Sequence, residues 1–206
     1  MKHRIIFSFA LMMMPMFANA EQLLIVARHG QALNNVREIN NSNPSHPRYF
    51  PYPLTDVGRK QAEESGRSLT EKGITSDSVE VVFVSPLPRA METAEIFAKA
   101  GVCRREQIII EPRLIESCCG DLEGLSYGSF PTGDCWDLSM GHQYGGETDE
   151  DVKNRVQTLY EEVKTRYQKG HVIFISHGSP ARELIGVITG SRDILKTAEA
   201  RILPLR

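Results

Sequence analysis

Beyond its first twenty residues, this 206-residue chain has no apolar run long enough to cross a bilayer, no basic cluster, no internal repeat and no low-complexity tract. The first absence excludes a later membrane span, which needs about 20 consecutive apolar residues. The second removes the electrostatic footprint of a nucleic-acid partner. Repeat architectures and disorder are excluded by the others. What remains is a chain 41% hydrophobic and 24% charged, the composition of one globular domain with a sizeable core.

The first twenty residues stand apart. Lys2, His3 and Arg4 precede an apolar stretch over 5–17, and Ala18-Asn19-Ala20 supplies small residues at both positions that signal peptidase reads. That stretch is short of a span and Pro15 interrupts it. The pattern predicts a signal peptide over 1–20 and a mature domain over 21–206, exported to the periplasm or secreted. Loss of Lys2 and Arg4 leaves 22 basic residues against 26 acidic ones, a formal charge of -4. Export makes Cys103, Cys118, Cys119 and Cys135 candidates for disulfides. A bond from Cys135 to Cys118 or Cys119 is favoured, because it would staple a glycine-rich loop. Bonding between the neighbours Cys118 and Cys119 is disfavoured by geometry.

Apolar runs of β type recur at 22–27, 79–84, 107–110 and 171–176, separated by stretches of helical period, and they read as buried parallel strands. Thr55 is placed to cap a helix that reaches about Thr70. A second helix starts near Arg89 and stops at Gly101, a third runs from about Thr148 to Gly170, and a fourth opens at Ser179-Pro180 and ends by Gly190. Alternating strands and helices predict an α/β fold, a three-layer α/β/α sandwich with a mostly parallel central sheet. Two long segments, 36–53 and 117–147, escape this pattern. Tyr127, Phe130, Trp136 and Tyr144 are spaced through the second, as in a substrate wall or in a loop packed onto the body.

The chemistry gathers at strand ends. The run ending at Ala27 is followed by Arg28-His29-Gly30, and the one ending at Ile175 by Ser176-His177-Gly178. In parallel sheets ligands bind in the crevice beyond the carboxyl ends of the strands, so both histidines face one rim. Arg89 opens a helix, where positive charge opposes the helix dipole unless it serves a ligand. Together Arg28 and Arg89 present two guanidinium forks matched to a phosphate monoester.

These residues stand in an order that resembles the histidine phosphatase superfamily, in the branch of cofactor-dependent phosphoglycerate mutases and small phosphatases. Arg28-His29-Gly30 with Asn35 is similar to its signature. Leu54-Thr55-Asp56-Val57-Gly58, then Ser85-Pro86-Leu87 with Arg89-Ala90, resemble its next motifs. Leu114-Ile115-Glu116, Gly145-Gly146-Glu147-Thr148 and Ser176-His177-Gly178 complete the series. The resemblance implies that His29 accepts the phosphoryl group, that Arg28, Arg89 and His177 bind it, that Asn35 assists, and that Glu116 donates the proton. Asp121 and Glu123 are nearby alternatives for the acid. Glu147 reads as a residue that helps start the helix and braces the site, and His46 and His142 read as surface residues.

The expected activity is hydrolysis of a small-molecule or glycan phosphomonoester, with no cofactor and no metal. Two other readings stand beside it: a phosphoglycerate mutase-type phosphotransferase, and a module that binds phosphoesters without turning them over. A metal site built from His29, His177 and the cysteines is opposed by the two arginines, which repel a cation. Arg37, Arg48 and Arg113 are available in sequence for a second anionic group. The physiological substrate and the oligomeric state are not written in the sequence.

Overall fold

The computed structural model describes residues 21–206. The expected signal peptide over 1–20 lies outside the described residues. Five strands form one sheet: β1 (Leu23–Arg28), β2 (Val79–Val84), β3 (Ile108–Ile110), β4 (His171–Ser176) and β5 (Ala200–Pro204). Their spatial order is β3-β2-β4-β1-β5, parallel except for β5, which runs antiparallel to β1. The helices are α1 (Leu33–Val36), α2 (Asp56–Glu71), α3 (Pro88–Lys99), α4 (Asp149–Arg166) and α5 (Gly178–Thr189).

Strand residues alternate between faces, and each face is covered. Leu24, Val26, Val172 and Phe174 point toward Val156, Leu159 and Val163 of α4 and Leu184 and Ile185 of α5. Their neighbours Ile25, Ala27, Ile173 and Ile175 point the other way, toward Leu69 of α2 and Ala90, Ala94 and Phe97 of α3. The result is the expected α/β/α sandwich with a mostly parallel sheet. Burial on both faces explains why the inner strands read as unbroken apolar runs.

Helix ends follow local chemistry. Thr55 Oγ1 accepts the Gly58 N–H at 3.0 Å, a cap worth about 1 kcal/mol. Thr148 and Asp151 exchange reciprocal bonds in a capping box at the start of α4, and Gly190, with φ 78°, closes α5.

Several expectations need correction. Strand β5 is unforeseen, because at the sheet edge its residues are mostly half-buried and carry no continuous apolar run. β3 is not a buried strand: it is the other edge, with Ile109 and Ile110 44% and 54% exposed. α3 begins one residue before Arg89, at Pro88, whose missing N–H is tolerated in a first turn. α5 begins at Gly178. α4 stops at Arg166, where extended Tyr167 ends it four residues before Gly170. The 117–147 segment carries three short 3-10 turns rather than being wholly irregular. No disulfide joins the cysteines: all four are thiols. Cys103 is packed in the α2–α3 core, and Cys119 Sγ donates instead to Ser117 O at 3.5 Å.

Among the described residues no helix is long and apolar enough to cross a membrane.

Candidate active site

Parallel strands β1 and β4 are hydrogen-bonded neighbours, with Arg28 paired to Ser176. Their carboxyl ends therefore deliver His29 and His177 side by side, with ring centroids 4.9 Å apart. Two glycine contacts let the chain turn sharply after His29. A Cβ on Gly30 would sit 2.3 Å from Gly58 O, and one on Gly58 would sit 1.9 Å from Gln31 O. Gly30 N–H also donates to Thr93 Oγ1 at 3.2 Å, tying the turn to α3.

His29 is 1% exposed, and its two ring nitrogens have different duties. Nδ1 lies 2.6 Å from Gly30 O, an acceptor only, so Nδ1 carries the proton. Nε2 accepts the Arg89 Nε–H at 3.1 Å, so its lone pair is free of a proton. Burial, then Arg89, then Arg28 hold the ring well below the ordinary histidine range, against a small opposing pull from the Gly30 carbonyl. The ring is a neutral imidazole with its lone pair on Nε2.

Arg89 is 1% exposed and is held by three hydrogen bonds. Besides His29 it gives Nη1 to Asn41 Oδ1 at 2.9 Å and Nη2 to Asn41 O at 2.8 Å. The loop that carries Asn41 is fixed in turn by Glu123. That carboxylate is 0% exposed and accepts from Ser42 N at 3.0 Å and Ser42 Oγ at 2.9 Å. The relay Glu123, Ser42, Asn41, Arg89 orients the guanidinium on His29.

Arg28 donates Nη1 to Leu195 O at 2.8 Å, while its buried Nε has no partner. His177 is fully buried, its Nε2 2.6 Å from Ser85 Oγ, its Nδ1 unpartnered. Burial first, then Arg89, His29 and Arg28, hold it well below the usual range. Glu116 is half-buried and sits at the start of α5, accepting from Ser117 N at 2.9 Å, Gly178 N at 3.1 Å and Ser179 N at 3.3 Å. Those N–H groups of the helix end fix the Glu116 side chain at the cavity edge.

Arg28, His29, Asn35, Arg89 and Glu116 all line one cavity of about 260 Å³. His177 lies behind His29 rather than in the cavity wall. Tyr127, Phe130 and Trp136 form the aromatic side of the cavity, whereas Tyr144 packs beneath the loop with Cys119 and Leu138. Asn35 does two things: its Oδ1 accepts Ala32 N at 2.9 Å, and its Nδ2 faces Tyr127 Oη at 3.5 Å. Among the described residues, no three His, Cys, Asp or Glu side chains converge as a metal-binding group.

The profile of the histidine phosphatase superfamily (branch 1) matches residues 24–195. The chain belongs to this superfamily. A 2,3-bisphosphoglycerate-dependent phosphoglycerate mutase of Methylobacterium sp. (strain 4-46) is 30% identical over 181 residues, 82% of each chain. Phosphoglycerate mutase-like protein 4 of Arabidopsis thaliana is 25% identical over 170 residues, 78% of this chain and 68% of its own. Among solved structures, an open reading frame product of Mycobacterium tuberculosis superposes with a TM-score of 0.69 at 25% identity, over 88% of this chain and 90% of that one. A mycobacterial glucosyl-3-phosphoglycerate phosphatase shares the fold, with a TM-score of 0.70 at 22% identity over 88% and 92% of the two chains. Branch 1 thus brings both phosphatases and mutases to stand beside this chain.

For this superfamily member, sequence reasoning named the residues around the cavity but missed those that hold them. Asn41 and Ser42 carry no motif in the sequence, although the polar run Asn40-Asn41-Ser42-Asn43 is an odd one to bury and burial is what marks it; Ser85 stands in a motif, but its bond to His177 is visible only in the fold. Glu123, an alternative acid by its place in the sequence, points to Ser42, outside the cavity wall. Asp121 is exposed. Glu147 braces, accepting from Cys118 N at 2.9 Å and pairing with Arg155 at 2.8 Å. His142 is exposed against Asp151, and His46 is half-buried and accepts the Arg48 N–H.

Proposed function

We propose that this chain is an exported phosphomonoesterase that works through a phosphohistidine on His29 Nε2. The observation that carries this reading is the fixed tautomer of His29: Nδ1–H donates to Gly30 O, and a neutral Nε2 lone pair opens on a cavity lined by two arginines. A nitrogen nucleophile needs that lone pair, and burial keeps protons from taking it.

Nε2 attacks phosphorus as the bond from phosphorus to the ester oxygen breaks. The Arg89 Nε–H that rests on Nε2 turns to a phosphoryl oxygen, and Arg28 reaches another. Behind His29, His177 Nε2 is bonded to Ser85 Oγ at 2.6 Å, and Ser85 Oγ also takes the Leu87 N–H at 3.3 Å, so this second ring backs the nucleophile. Charge spread over the equatorial oxygens is thereby met by two guanidinium groups that line the cavity. Glu116 in its acid form protonates the departing alkoxide, and the resulting carboxylate then takes a proton from the water that attacks phosphorus. The bond from nitrogen to phosphorus breaks, and inorganic phosphate leaves with His29 neutral again.

Hydrolysis of a phosphomonoester panel by the purified chain tests this reading. We expect turnover that His29→Ala abolishes; equal activity in that variant refutes it. The mutase relatives support a second reading. Transfer of labelled phosphate between phosphoglycerates, dependent on bisphosphoglycerate and in place of transfer to water, would replace the hydrolase assignment. Tight ester binding without turnover would make the chain a binding module. The export component is read from the sequence of residues 1–20 and is tested by the mass of the protein recovered outside the cytoplasm, which should begin at Glu21.

A further inference from the structure

The part of the cavity beyond the phosphate-facing groups is uncharged, and its free hydrogen-bonding groups are of both kinds. Asn34 lines it, is 4% exposed, and its side-chain Oδ1 has no partner. Tyr127 Oη takes only the long contact from Asn35 Nδ2, so its O–H proton is free to donate. Trp136 lines the same cavity and brings an indole ring to it. That ring is fixed: Arg28 lies 5.5 Å from its centroid, buried Arg182 holds its carbonyl at 2.7 Å, and a Cβ at Gly178 would come within 2.4 Å of two ring atoms.

Charge decides what such a wall accepts. Among the described residues Arg28 and Arg89 are the cationic side chains that line the cavity, and a phosphate dianion already balances the pair. The three arginines that the sequence offered for a second anion are engaged elsewhere. Arg37 stacks on Tyr52, Arg48 donates to Asp121 O, and Arg113 is paired with Glu111 and Glu162. A second carboxylate or phosphate on the leaving group would be desolvated with no counter-ion, and it would meet the Asn34 acceptor with a lone pair. A hydroxyl both donates and accepts, and so satisfies Asn34 and Tyr127 together. The apolar C–H face of a sugar ring fits against an indole.

Resting on the phosphomonoesterase reading, we infer that the substrate is the monophosphate ester of an uncharged, hydroxyl-rich alcohol, a sugar or polyol, with Asn34, Tyr127 and Trp136 as its specificity-determining residues. The test compares kcat/KM for matched pairs that differ in one group: glucose 6-phosphate against 6-phosphogluconate, and glycerol 3-phosphate against 3-phosphoglycerate. Phenyl phosphate and a nucleoside monophosphate complete the set. The neutral member of each pair is expected to be favoured at least tenfold, and glucose 6-phosphate to exceed phenyl phosphate. Asn34→Leu should raise KM for glucose 6-phosphate by at least fivefold more than for phenyl phosphate. Equal or better turnover of the carboxylate members overturns the inference and leaves the phosphatase reading standing. Preference for phenyl phosphate or the nucleotide also overturns it. If no ester is hydrolysed, both readings fall together.

Discussion

Acidification from pH 7.5 to 5.5 should remove roughly 3 kcal/mol of stability through His29 and His177 alone. In an unfolded chain each histidine titrates near 6.5. In the native structure burial and the adjacent arginines keep both well below that value. Over this window each site of the unfolded state goes from about a tenth to about nine tenths of a proton, while the native rings stay neutral. Since the unfolded state binds more protons, stability rises with pH and falls in acid; integration gives roughly 1 to 2 kcal/mol per ring. His171, half-buried and also depressed, pushes in the same direction by less. Depressed carboxyls such as Glu111 contribute stability that is lost only below about pH 4, outside the window. Urea unfolding at the two pH values measures the difference. The buffer must be free of phosphate, because an oxyanion that binds the native cavity adds its own stabilisation. His177→Asn should halve the loss. Equal stability at pH 7.5 and 5.5 would refute the neutral, buried state of the two rings.

Three further outcomes follow from the site. Glu116→Gln should slow hydrolysis of alkyl phosphates by about 10²-fold or more, yet act far less on p-nitrophenyl phosphate, whose leaving group needs no proton; equal losses on both would remove Glu116 as the acid. Arg89→Lys keeps the charge but cannot bridge His29 and Asn41 at once, so turnover should fall by roughly 10²-fold, and steady-state kinetics near the wild-type rate would contradict that role. Glu123→Gln places an amide N–H₂ where only donors face it, which should cost about 1–3 kcal/mol in chemical denaturation; no change would break the relay from Glu123 to Arg89.

The inner strands were legible because burial on both faces leaves an unbroken apolar signature over 79–84 and 171–176. β5 was not, because half-buried edge residues such as Arg201 and Ile202 carry no such signature. At the site, Arg28, His29, Arg89 and His177 could be read because strand-end position and cationic charge are local properties of the chain. The Asn41 and Ser42 anchors could not. Their importance comes from Glu123, more than eighty residues away in sequence, being folded beneath them with no solvent to satisfy its charge. Likewise the wall formed by Trp136 depends on Gly178 and Arg182, which lie on a different element.

The central claim is that a neutral Nε2 on His29 takes the phosphoryl group. Acid-sensitive trapping with a labelled phosphomonoester, quenched in alkali and followed by peptide mapping, tests it most directly. Label on the peptide that carries His29, lost on acid treatment and absent from His29→Ala, is the predicted result. Burst-free hydrolysis with no labelled peptide, or label on another residue, would contradict the account.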